Sequence, residues 1–232
     1  MASHGDRVEA AYNRIDALLR KKVGQRSGSF SSVVIEAAKK DVAVRAYKDD
    51  LLEYGDLRNA IVHDRGRAPV LLADPREEVV TRIEEILDRL SRPRTLRSLA
   101  RPVPLRIFEV NDPLPEALSY MRVNAFSQIV ALLLSGSHVI LSAEGVAHWL
   151  EAKSKEDIIA LSEVKVGHAL DFEPEGTCVY LKADDTVERA REVFANDIGK
   201  RVFSALVTES GRPKQRPINI VTPWDIVTGA LR

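Results

Sequence analysis

Only one cysteine occurs in 232 residues. Cys178 cannot close an intramolecular disulfide, which fits a reducing compartment, and it reads as a small buried hydrophobe at a strand start. Long apolar runs are missing as well. The longest, Ile129 to Leu134, is strand-sized, far short of the ~20 residues that cross a bilayer, so no membrane association is expected. The opening Met-Ala-Ser-His-Gly-Asp carries no apolar stretch and predicts no secretory signal, so the expected location is cytoplasmic. Net charge is zero, with 34 basic and 34 acidic side chains. That balance excludes nucleic-acid binding through a global field and leaves only a local patch. No Walker loop, Gly-rich dinucleotide turn, Gly-x-Ser-x-Gly elbow or Cys-x-x-Cys pair occurs. His138, His148 and His168 lack metal-ligand spacing, so no metal is expected.

What remains is an ordinary globular composition, 45% hydrophobic and 29% charged, in a chain long enough for two domains. The N-terminal part, residues 1–91, reads as four amphipathic helices. Val8, Ala11, Ile15, Leu18 and Leu19 keep helical spacing until Gly24 and Gly28. A second helix follows Ser29, and a third runs from about Val42 to Val62 before Gly66 and Pro69. Asp74 as cap, Pro75 at the first helical position and Glu77 three after the cap predict the start of the fourth. Four such helices form a bundle. Residues 92–104 place Arg92, Arg94, Arg97 and Arg101 among three prolines. That composition predicts an extended, solvated connector, or alternatively guanidiniums near a phosphate.

The C-terminal part, residues 105–232, reads twice through one β-α-β-β-α pattern, over 105–150 and 175–232 with a connecting segment. Asp112-Pro-Leu-Pro-Glu-Ala117 and Asp185-Thr-Val-Glu-Arg-Ala190 share one frame. Each is followed by a β-rich run and a helix start, Ser142-Ala-Glu-Gly145 in the first copy and Thr222-Pro-Trp-Asp225 in the second. The longer hairpin, Glu209 to Pro217, accounts for the drift between copies. Such a unit buries its sheet against its twin. The fold class expected is therefore α plus α/β.

This tandem repeat resembles a pair of cystathionine-β-synthase (CBS) domains, which sense adenine nucleotides. The resemblance implies an adenine nucleotide (AMP, ADP or ATP) as regulatory ligand and no required cofactor. Asp225 would accept hydrogen bonds from the ribose hydroxyls, and Thr222 with the first-turn N–H groups would meet a phosphate. Val179, Tyr180, Phe203 and Ala205 would wall the adenine, with Lys182, Arg201 and Arg216 nearest the phosphates. Gly145 stands where the first copy needs its aspartate, so one site of the pair is expected to be weak or empty.

The end of the third helix carries Arg58-Asn59-x-x-x-His63. Asn59 and His63 share a helix face, and a histidine at a helix C-terminus is favoured in its protonated form. The motif resembles the Arg-x(4–6)-His signature of HEPN domains, all-α bundles that often act as metal-independent endoribonucleases after dimerising. By that resemblance His63 would move the 2′-hydroxyl or leaving-group proton, Arg58 would hold the scissile phosphate, and Asn59 would orient either. Asp64 and Arg65 would assist. The expectation is a homodimer that senses a nucleotide and cleaves RNA. The alternative is a non-enzymatic sensor whose helices only dimerise or dock a partner.

Overall fold

A computed structural model describes residues 3–62, 74–99, 104–154, 158–196 and 202–228. The chain divides into two compact units, Met1–Arg94 and Thr95–Arg232.

In the first unit, helix α1 (His4–Val23) starts at a capping box. Ser3 Oγ accepts from the Asp6 N–H, Asp6 accepts from the Ser3 N–H, and Gly24 at φ 72° stops the helix. Ser29 caps α2 (Phe30–Lys40). The single helix expected over 42–62 is two, α3 (Val42–Ala46) and α4 (Lys48–Val62). They part at Tyr47, φ −112° and ψ 15°. Leaving helical dihedrals there buries the Tyr47 ring, with the Arg82 guanidinium 5.6 Å from its centroid. Helix α5 (Glu77–Ser91) begins two residues later than Asp74 and Pro75 predict, at Arg76, with no side-chain cap. Asp74 is committed elsewhere: its carboxylate accepts the Gly5 N–H at the start of α1, and the Pro75 carbonyl meets His4 Nδ1. The described residues thus hold five helices here in place of four. Val8, Ile15, Val34, Val44, Leu51, Ile83 and Ile86 form their common core.

The second unit contains the repeat. Strand β1 (Ile107–Glu109) leads to α6 (Leu114–Asn124), β2 (Gln128–Leu132), β3 (His138–Ser142), α7 (Ala143–Lys153) and the short α8 (Val166–Leu170). The second copy follows with β4 (Cys178–Lys182), α9 (Val187–Asn196), β5 (Ser204–Thr208), β6 (Asn219–Val221) and α10 (Pro223–Thr228). Each copy makes a three-stranded sheet whose middle strand pairs parallel with the first and antiparallel with the third. The registers match: Ile107, Val130 and Ile140 lie side by side in one sheet, and Tyr180, Leu206 and Ile220 in the other. Even the turn is repeated, since Asp112 accepts the Glu109 N–H at 2.9 Å and Asp185 the Lys182 N–H at 2.8 Å.

Side chains alternate between two buried faces, as strands covered on both sides must. Ile129, Ala131 and Leu141 pack under the helices of the first copy, and Ala205, Val207 and Val221 under those of the second. Val130, Ile140, Leu206 and Ile220 point the other way and pack together, sheet on sheet.

The segment expected as a solvated connector is structural at Thr95–Leu99. Residues Leu96–Ser98 make a tight helical turn, with Leu96 and Leu99 buried in the core of the second copy. Thr95 bridges Thr186, and the Leu96 and Arg97 N–H groups donate to Asp185 and Ala183 carbonyls at 2.8 Å. The segment before the second copy does the same to the first. Lys165 bridges Pro113, and the Val166 and Gly167 N–H groups donate to Asp112 and Val110 carbonyls at 2.9 Å. Each copy is therefore completed by the strap that precedes the other. Arg97, one of the guanidiniums considered for a phosphate, pairs with Asp184 at 3.2 Å and Glu209 at 2.7 Å, and Arg101 lies outside the described residues.

Leu96→Ala should lower stability by ~2–5 kcal/mol, the usual cost of emptying a buried leucine site. A solvated connector position would lose under about 0.5 kcal/mol. Urea unfolding of the variant beside the wild type distinguishes them.

Candidate functional site

Both faces of the two sheets are buried, so ligand-sized space is left at the strand ends. A cleft of about 520 Å3 opens where β3 and β6 pass into α7 and α10. Its walls are matching positions of the two copies: Ser127 with Phe203, Ser142 with Thr222, and Glu144 with Trp224. Ile220 and Asp225 complete it on the second side, and Phe126 with Gln128 on the first. Trp224 is 71% exposed and Phe203 38%, so the cleft offers two aromatic faces to an incoming ring. Its lining holds Glu144 and Asp225 and, among the described residues, no lysine or arginine.

The helix start at Thr222 is a reciprocal cap. Thr222 donates its backbone N–H and its hydroxyl to Asp225 Oδ2, both at 2.8 Å, and its Oγ1 accepts the Asp225 N–H at 3.3 Å. The Thr222 hydroxyl thus lies between the Asp225 carboxylate and the Asp225 N–H. Ser142 caps α7 in the same manner, accepting the Gly145 N–H at 3.0 Å.

Of the residues expected around the ligand, Thr222, Asp225 and Phe203 come together in this cleft. The others do not. Ala205 is fully buried and Val179 packs beside it, both beneath the helices of the second copy, because strand alternation turns them away from the opposite sheet. Tyr180 turns into the sheet-on-sheet seam and donates its hydroxyl to the His138 carbonyl at 2.5 Å. Lys182 is exposed at the end of β4. Arg201 lies outside the described residues. Reading the strands by period two, with Phe203 matched to Ser127, would have found the first-copy wall that the motif alone missed.

In the helical unit, Arg58 and Asn59 are neighbours on α4 with different surroundings. The Arg58 guanidinium lies 5.7 Å from the centroid of the Tyr12 ring, its Nε buried without a hydrogen-bond partner among the described residues, while Asn59 is exposed. Tyr12 also stacks on Phe30, and burial pushes its hydroxyl pKa up. His63, with Asp64 and Arg65, lies outside the described residues.

No family model matches the chain, and neither does any curated protein. Among solved structures it is similar to a CBS domain-containing protein of unknown function from Kribbella flavida, at 18% identity and a TM-score of 0.44, covering 59% of this chain and 99% of the other. It is similar too to the CBS domain of a CBS domain-containing membrane protein from Sphaerobacter thermophilus, at 16% identity and a TM-score of 0.44, covering 64% and 94%. A third is CBSX2 in complex with AMP, at 14% identity and a TM-score of 0.41, covering 60% and 96%.

Among the described residues no helix is long and apolar enough to cross a membrane, and no group of His, Cys, Asp and Glu is placed to hold a metal. Cys178, at the start of β4, has its thiol pushed up to about 11 by burial. Its thiolate should be about a hundredfold scarcer at pH 8 than that of an ordinary exposed thiol. Iodoacetamide should therefore label it correspondingly slowly. The rate should keep climbing above pH 9, where an exposed thiol levels off.

Proposed function

We propose that residues 95–228 are a CBS pair and that the chain is an adenine-nucleotide-sensing regulatory protein. The observation that carries this is a cleft walled by equivalent positions of two copies, with a helix-starting carboxylate inside and two aromatic side chains at its mouth. An adenine would lie against Phe203 and Trp224, and the Asp225 carboxylate would receive ribose hydroxyls.

The helical unit is proposed as the output. A metal-independent endoribonuclease using Arg58, Asn59 and His63 in a homodimer is supported by the Arg58 Nε, a buried donor without a partner among the described residues. A docking or dimerising unit is supported by the same guanidinium lying over Tyr12, where it fastens α4 to α1.

Two measurements test this. Calorimetric titration with AMP should show binding that Asp225→Ala weakens about 10- to 100-fold, the worth of hydrogen bonds to a charged group. Unchanged affinity in the variant would sink the assignment. A structured RNA pool in EDTA, with and without AMP or ATP, should yield 2′,3′-cyclic phosphate ends that His63→Ala abolishes if the unit is a ribonuclease. Intact RNA under every condition leaves docking as the output.

A further inference from the structure

The two helix starts flanking the cleft draw their carboxylates from different places. In the second copy Asp225 supplies it, on α10 itself. In the first copy the matching residue is Gly145, which has no carboxylate, yet the donors of Ser142 are not left bare. Glu173 Oε2 accepts the Ser142 N–H at 2.8 Å and the Ser142 hydroxyl at 2.9 Å. Its other oxygen accepts the Thr177 hydroxyl at 3.0 Å. The backbone and side-chain donors of the strand-to-helix turn are satisfied in both copies by one carboxylate oxygen, at closely similar distances.

The glycine is the other half of this exchange. A Cβ at position 145 would lie 2.2 Å from Glu173 Oε2 and 3.2 Å from Glu173 Cα. Any side chain there would expel the glutamate, whereas glycine leaves the room it fills. An aspartate at 145 and a glutamate reaching in from 173 are thus mutually exclusive. Glu173 also lines a second cleft of about 370 Å3, beside Thr177, Tyr180 and Ile140.

We propose that Glu173 is a built-in occupant of the first copy. It replaces the missing aspartate as the cap's carboxylate and, because it enters from another segment and fills with side chain and backbone the space beside Gly145, closes that copy to a nucleotide. The chain then has one nucleotide site, at Asp225. The stoichiometry rests on the nucleotide-sensing reading; the carboxylate exchange does not.

The test separates the two. Gly145→Asp alone should lower the melting temperature, because the new side chain collides with Glu173. Glu173→Ala alone should lower it as well, since Ser142 loses its carboxylate acceptor and Thr177 keeps only the Pro174 carbonyl. Glu173→Gln, which keeps the shape and one carbonyl acceptor, should fall between Glu173→Ala and the wild type. The Gly145→Asp, Glu173→Ala double variant should be more stable than the sum of the single losses predicts. Additive losses would overturn the exchange. Titration of the same proteins with AMP should then give one site per chain for the wild type and two for the double variant. Two sites in the wild type, or no second site in a double variant that has recovered its stability, would overturn the closure. If AMP binds neither protein, the nucleotide reading fails with the closure, while the melting temperatures still decide the exchange.

Discussion

The second unit depends on a small apolar seam. Val130 and Ile140 of one sheet meet Leu206 and Ile220 of the other, all at most 4% exposed. Apart, each three-stranded sheet would leave one apolar face in water, a surface whose burial the hydrophobic effect favours. Burying the two faces on each other removes that surface and creates a local two-fold relation between the copies. The position of the cleft follows. Helices cover the outer faces and the seam fills the inner ones, so space remains where the strands end and the next helices begin.

The straps tighten this dependence. Thr95–Leu99 belongs in sequence to the first copy and in space to the second, and Lys165–Ala169 is placed the other way round. Removing either strap opens the core of the copy it does not precede. The exchange also shapes the caps. Glu173, just beyond the second strap, is brought beside Ser142 of the first copy, which makes a carboxylate from outside the motif available to a helix start that lacks its own.

The repeat itself was legible in the sequence because two turns demanded the same chemistry. Asp112 and Asp185 each accept the N–H three residues back, and that constraint survives where the strands around it differ. Helix starts at Ser29 and Ser142 were legible for the same local reason. What failed depended on distant partners. Asp74 and Pro75 look like a helix start, but the Asp74 carboxylate is claimed by Gly5. Tyr47 sits in helical periodicity, and only the core shows why it breaks the helix. The Arg- and Pro-rich segment looks solvated because its few apolar residues, Leu96 and Leu99 among them, set up no period among the arginines and prolines. At the cleft, the motif located Thr222 and Asp225, whose mutual cap is a local feature. But it took the adenine wall from neighbours in sequence, where strand alternation had turned Val179 and Ala205 to the other face.

These constraints bear on how a ligand in the cleft could act at a distance. The cleft is walled by both copies, so a bound molecule favours whichever spacing of the two sheets lets it touch both walls. It can shift that spacing only by the difference in its affinity for the alternatives. An apolar seam is well suited to such a shift, because its contacts are non-directional and tolerate small slides that a hydrogen-bonded ladder would not. The straps are held by main-chain hydrogen bonds and so follow the copies they complete. The first strap begins at Thr95, directly after Arg94, the last residue of the helical unit. A shift of the second copy carries Thr95–Leu99 with it, since Leu96 and Leu99 pack in its core.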